Sequence, residues 1–105
     1  MIRITATVRN EAGIHCRPSA VIIKEAATLV SRIRVVASTG ETDLRSITDL
    51  LALGLAQDEK VEITTDGPDE VLAAARLQEL FERRYEFPPR APGESNDDLL
   101  QRIQP

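Results

Sequence analysis

A single histidine, His15, lies within Gly13-Ile14-His15-Cys16-Arg17-Pro18. Proline is favoured at the first turn of a helix, where its missing N–H costs nothing. Pro18 is therefore expected to open a helix with His15 just before it. A helix start offers amides without intrahelical partners and the positive end of the helix dipole. Arg17 adds a permanent cation with several donors. A neutral imidazole beside these groups suits a nucleophile that accepts a phosphoryl group. The ring nitrogen attacks phosphorus, and the helix start and Arg17 hold the dianion that results. A cap or plain surface histidine fits the hexapeptide too, and on these residues alone both readings stand. Metal binding is disfavoured, because neighbouring His15 and Cys16 cannot close a four-ligand site and the chain has no other His or Cys. A Cys–His nucleophilic pair lacks an orienting third group. No cofactor is expected.

The elements that would position this hexapeptide are legible as hydrophobic periods. Ile2, Ile4, Ala6 and Val8 alternate with Arg3, Thr5 and Thr7, the pattern of a strand with one buried face. From Pro18, the apolar residues Ile22, Ile23, Ala26, Leu29 and Val30 follow helical spacing. Ile33, Val35 and Ala37 read as a second strand. Thr39-Gly40 is a turn signal, and Glu41 to Leu44 a short third strand. Ser46 with Asp49 resembles a capping box, which starts a short helix through Ile47, Leu50, Leu51 and Leu53 that Gly54 ends. Val61, Ile63 and Thr65 mark a fourth strand. After Gly67-Pro68, Asp69 is expected to cap a last helix whose apolar face is Ala73, Ala74, Leu77, Leu80 and Phe81. The order is β-α-β-β-α-β-α. Outward strand residues are polar (Arg3, Thr5, Arg34, Glu62, Thr64) except Val36. The expected fold is α+β: an open-faced sandwich with split β-α-β topology, a four-stranded antiparallel sheet and three helices on one face.

Composition narrows the function classes. The 105 residues are 42% hydrophobic and 29% charged, ordinary for one soluble domain with a single core. A net charge of −4 without a Lys/Arg cluster or aromatic platform argues against nucleic-acid binding. No apolar run approaches the roughly 18 residues of a membrane span, so no membrane insertion is expected. The first residues lack a signal-peptide pattern. One cysteine precludes an internal disulfide and fits a cytoplasmic location. Two domain-level segments are expected: residues 1–85 as the folded domain, and 86–105, containing Pro88, Pro89 and Pro92, as a flexible C-terminal extension.

The hexapeptide, the element order and a second signature, Leu44-Arg45-Ser46-Ile47 leading to Leu50-Leu51-Ala52-Leu53-Gly54, together resemble the histidine-containing phosphocarrier family HPr. Gly67-Pro68-Asp69-Glu70 is similar to that family's start of the last helix. The resemblance covers about residues 1–85. It implies a phosphoryl carrier rather than an independent catalyst. His15 would accept phosphate on Nδ1 from phosphorylated enzyme I and pass it to A-type sugar-permease domains, with Arg17 as phosphate stabiliser. It also implies phosphorylation of Ser46 by an HPr kinase/phosphorylase, and an apolar docking patch of Ile47, Leu51 and Leu55. The resemblance leaves open a regulatory protein that acts through Ser46-controlled binding without sugar transport, and a plain interaction module. The chain departs from the family at Cys16, where Ala or Thr is common, and at Ser19, where Ala is usual. It also departs at Asp49, where Gly or Lys is usual and where a negative charge is expected on the partner-facing surface, and in residues 86–105, which extend past the usual end.

Overall fold

The alternating pattern of the first residues becomes strand β1, Ile2–Thr7, in a computed structural model that describes residues 1–85. The expectation for residues 86–105 lies outside the described residues. Helix α1 spans Cys16–Ala26, strand β2 Arg32–Ala37 and strand β3 Gly40–Thr42. Helix α2 spans Ile47–Ala52, strand β4 Lys60–Asp66 and helix α3 Glu70–Glu82. The sheet is antiparallel in the order β1-β4-β2-β3, so β4 lies between the two strands that α1 connects.

Register explains the sidedness. Ile4 pairs with Ile63 and Ile63 with Val35, while Ala6 pairs with Val61. All of these point into the core beneath α1 and α3 except that Ile4 is only half-buried. The intervening pairs Arg3–Thr64, Arg34–Thr64 and Val36–Glu62 point to the other face, which no helix among the described residues covers, in keeping with the polar alternation. Arg3 and Glu62 pair across that face at 3.5 Å. Exposed pairs of this kind add little stability. The expected face of α3 is the one observed: Ala73, Ala74, Leu77, Leu80 and Phe81 are all buried. Among the described residues Phe81 is the largest fully buried side chain, and burying such a residue contributes roughly 1.5–3 kcal/mol.

Three local expectations change. Strand β3 stops at Thr42 rather than Leu44, because Thr42 Oγ1 accepts the Leu44 N–H at 3.1 Å and Leu44 turns to φ 60°. A side chain that offers a backbone amide a local partner competes with the sheet. The apolar face of α1 does not reach Val30, which is exposed because the helix has ended at Ala26. The third change is at Asp69. It occupies the N-cap position of α3 but makes no side-chain cap bond. Its carboxylate instead accepts from the backbone N–H groups of Val30 and Ser31, each at 2.9 Å, and from the Ser31 hydroxyl. The start of α3 is thereby fastened to the connection between α1 and β2, where Arg45 also donates to the carbonyls of Ala26, Leu29 and Ser31.

The Ser31 hydroxyl first, and the backbone donors after it, hold the Asp69 carboxyl below its ordinary value of 3.8. A group whose pKa is depressed by folding contributes stability above its unfolded pKa, and that contribution is lost as pH falls through the folded value. Asp69→Asn is therefore expected to lower the Tm at pH 7. The gap between wild type and variant narrows progressively below pH 3.8. Thermal melts at a series of pH values check this, and a gap that stays constant down to strong acid counts against the carboxylate as its source.

Candidate functional site

The acceptor candidate sits where β1 gives way to α1. The chain leaves β1 through Val8, whose N–H donates to Glu59 O at 2.8 Å, and enters a tight turn closed by Gly13 N–H on Asn10 O at 2.9 Å. Gly13 takes φ 74°, a conformation that strongly favours glycine. Ile14 is buried and its N–H donates to Leu55 O at 2.9 Å. The turn therefore lies against the connection that follows α2. His15 comes next as the N-cap of α1, with φ −114° and ψ −148°, and its side chain makes no capping bond. The His15 carbonyl accepts the first intrahelical bond, from Ser19 N–H at 2.9 Å.

Helix α1 starts at Cys16, so Pro18 is its third residue and not its first. The physical reason for a proline there is unchanged. The first four amides of a helix have no intrahelical acceptor, and proline removes one of them at no cost. The shift matters for the site, because the Cys16 and Arg17 amides precede the proline at the positive end of the helix. No acidic residue lies in the first turn of α1, so that turn itself brings no carboxylate to its amides. His15, Cys16 and Arg17 are all exposed, and Pro18 and Ser19 turn inward. An exposed imidazole, a helix start without a carboxylate and a guanidinium two residues on can together receive and hold a dianion.

Ser46 is the N-cap of α2, with its Oγ accepting from Asp49 N–H at 3.4 Å, as the capping-box spacing implies. Gly54 follows the last turn at φ 58°, the usual left-handed helix stop. Ile47 and Leu51, one turn apart on α2, are 38% and 37% exposed. Leu55 does not join them: it is 3% exposed and belongs to the core. After Gly54 the chain bends inward, so the i+4 spacing from Leu51 no longer measures a helix face. Asp49 is displaced as well. At about 100° per residue it stands about 200° around α2 from Ile47. It borders a depression with Arg34, Glu41 and Asp43 beside β3, away from the Ile47–Leu51 side.

The family described as "PTS HPr component phosphorylation site" matches residues 2–83 of this chain. The chain belongs to the HPr family. The phosphocarrier protein HPr of Treponema pallidum is 34% identical over 86 residues, covering 82% of this chain and 98% of that protein. The multiphosphoryl transfer protein of Vibrio cholerae is 34% identical over 79 residues, covering 72% of this chain and 19% of that much longer protein. Among solved structures, HPr-C-His of Thermoanaerobacter tengcongensis is similar at a TM-score of 0.72 and 30% identity, covering 77% of this chain and 91% of that one. The chain is thus a member of the phosphocarrier family of the phosphotransferase system, with the split β-α-β fold expected from its sequence. No helix among the described residues is long and apolar enough to cross a membrane.

Sequence reading missed one residue beside the candidate site: Asn10 is buried and uses both ends of its amide. Asp69, read in sequence as a helix cap, lies away from the site and braces the connection after α1. Asn10 carries only a weak signal in sequence, an Asn at the start of a loop that ends in Gly.

Proposed function

We propose that this chain is a phosphoryl carrier whose acceptor is His15 Nδ1. The neutral ring nitrogen attacks phosphorus on phosphorylated enzyme I, the new P–N bond forms as the donor's bond to phosphorus breaks, and the donor group leaves with its electron pair. The Cys16 and Arg17 amides and the Arg17 guanidinium stabilise the phosphoryl dianion on His15. An A-type sugar-permease domain then takes the group by the reverse chemistry, in the cytoplasm. The observation that carries this reading is the placement of His15. It is an exposed N-cap whose imidazole is not spent on capping, with a guanidinium two residues on and no carboxylate in the first turn. His15 and Arg17 together favour carrier function over a plain interaction module, which needs neither; the pair does not separate a carrier from a regulatory protein. Incubation with phosphoenolpyruvate and enzyme I tests it: phosphorus NMR should show Nδ1-phosphohistidine, and an unlabelled protein would refute the proposal.

Arg17→Ala is expected to slow transfer without unfolding the chain. A charge-assisted hydrogen bond is worth roughly 1.5–3 kcal/mol, so transfer should fall about tenfold or more. Arg17→Lys should recover only part of it, because the planar fork is lost. Rapid-quench kinetics identical to wild type would remove Arg17 from the mechanism.

Ser46 is the proposed regulatory site, phosphorylated by an ATP-dependent HPr kinase/phosphorylase. As N-cap its hydroxyl contributes about 1 kcal/mol to the fold. A phosphate there adds a charge of about −1.5 to −2 at a helix start, which tolerates it. The same charge stands beside Ile47 and opposes apolar docking. Ser46→Asp is expected to weaken enzyme I binding several-fold with little change in Tm, and phosphoserine more so. Calorimetric titrations giving one affinity for all three forms would count against a switch.

A further inference from the structure

Asn10 is buried in the turn that follows β1, and its amide makes two hydrogen bonds of opposite sense. Its Nδ2 donates to Gly13 O at 2.8 Å, and its Oδ1 accepts from Tyr85 N–H at 2.8 Å. A carbonyl can only accept and an N–H can only donate, so these partners fix which way the amide points. The consequence lies one residue before His15. The Gly13–Ile14 peptide has its carbonyl held by Asn10 Nδ2 and its N–H held by Leu55 O at 2.9 Å. Both ends of one peptide plane are anchored, one to Asn10 at the start of the turn after β1 and the other to the connection after α2. The direction in which the chain enters His15 is set there, since the imidazole makes no capping bond of its own.

We propose that Asn10 is a positioning residue for the acceptor: it locks the Gly13–Ile14 peptide and so aims the His15 ring at the incoming phosphorus. This rests on the reading of His15 as acceptor. Transfer between two proteins needs the nucleophile and phosphorus aligned within a fraction of an ångström, and a displacement of about 1 Å can cost up to about a hundredfold. Without Nδ2 the peptide is held at its N–H end only, and the plane can tilt about that bond.

Asn10→Asp tests this with one half of the side chain kept. A carboxylate still accepts from Tyr85 N–H but repels Gly13 O. Asn10→Ser, which adds no charge, separates misplacement from electrostatics. Asp69→Asn serves as the control for lost stability, since it loosens the opposite end of α1. Both Asn10 variants should show a single-turnover transfer rate at saturating phosphorylated enzyme I reduced about tenfold or more. Their KM should change less than about twofold, and Ile14 amide exchange should be at least about tenfold faster. Asp69→Asn should leave rate and exchange near wild type even where its Tm falls as far. Rates equal to wild type, or reduced only in step with Tm as in the control, overturn the proposal. So does rapid Ile14 exchange in the wild-type protein, whatever the variants do. Failure of wild type to accept phosphate on His15 refutes the carrier reading instead, and the exchange measurement still reports on the lock.

Discussion

Replacing His15 by alanine should abolish phosphoryl transfer and leave the fold in place. The two halves of this expectation have separate causes. Transfer is lost because His15 is the chain's only histidine. A P–N bond needs an imidazole nitrogen, and neighbouring Cys16 would give a different linkage with different lability. The fold survives because the imidazole is exposed and caps nothing. What the helix takes from this position is the backbone carbonyl that accepts from Ser19, and alanine retains it. The stability change should stay within the range of about 0.5 kcal/mol typical of surface substitutions. With labelled phosphoenolpyruvate and enzyme I, wild type should carry acid-labile label and His15→Ala none, while their urea unfolding curves nearly coincide. Undiminished labelling of the variant would move the acceptor elsewhere, and a collapsed unfolding curve would mean the side chain has a structural role.

The parts of this fold that depend on period were legible before any coordinates. Alternation in β1 and β4 sorted Ile4 and Ile63 from Arg3 and Thr64, because a strand has only two faces. The stripe Ala73–Phe81 named the buried side of α3 for the same kind of reason. Local chemistry carried Ser46 and Gly54, since a cap and a helix stop are satisfied within a few residues. Long-range partners were not legible. Asp69 has the spacing of a cap, but its carboxylate goes to Val30 and Ser31, far away in sequence, where three donors outbid one. Leu55 has the spacing of the Ile47–Leu51 patch, but Gly54 ends the helix on which that spacing depends. Asp49 belongs to the right helix and the wrong side of it. At the candidate site, the hexapeptide already held the proposed acceptor His15 and the proposed phosphate stabiliser Arg17. Asn10, which holds the loop, was invisible because its importance depends on Tyr85 and Leu55 arriving from later in the chain.

The loop's dependence on close packing gives the largest expected loss of stability. In Gly13→Ala the new Cβ would lie 2.1 Å from Leu55 O and 3.1 Å from Ala56 Cα. These are backbone atoms of a connection tied down at both ends, so no side chain can swing aside. The residue also sits at φ 74°, which costs an L-residue roughly 1–2 kcal/mol. Relieving the overlap means moving the turn away from the α2–β4 connection and giving up the Ile14–Leu55 bond. Overpacking typically costs about 1–3 kcal/mol and a lost hydrogen bond about 0.5–1.5 kcal/mol. The sum is about 3 kcal/mol or more, a large part of the roughly 5–15 kcal/mol that holds a domain folded. Gly54→Ala separates the two causes. Gly54 has a similar φ of 58° but nothing within 4 Å of the added Cβ, so it should lose only the conformational part, roughly 1–2 kcal/mol. Urea unfolding of the two variants side by side should show Gly13→Ala shifted at least about twice as far as Gly54→Ala. Folded Gly13→Ala should also transfer phosphate slowly, since any relief of the overlap moves His15. Equal shifts for the two glycines would mean that the turn is free to withdraw from Leu55, and with it that the acceptor loop is not held from that side.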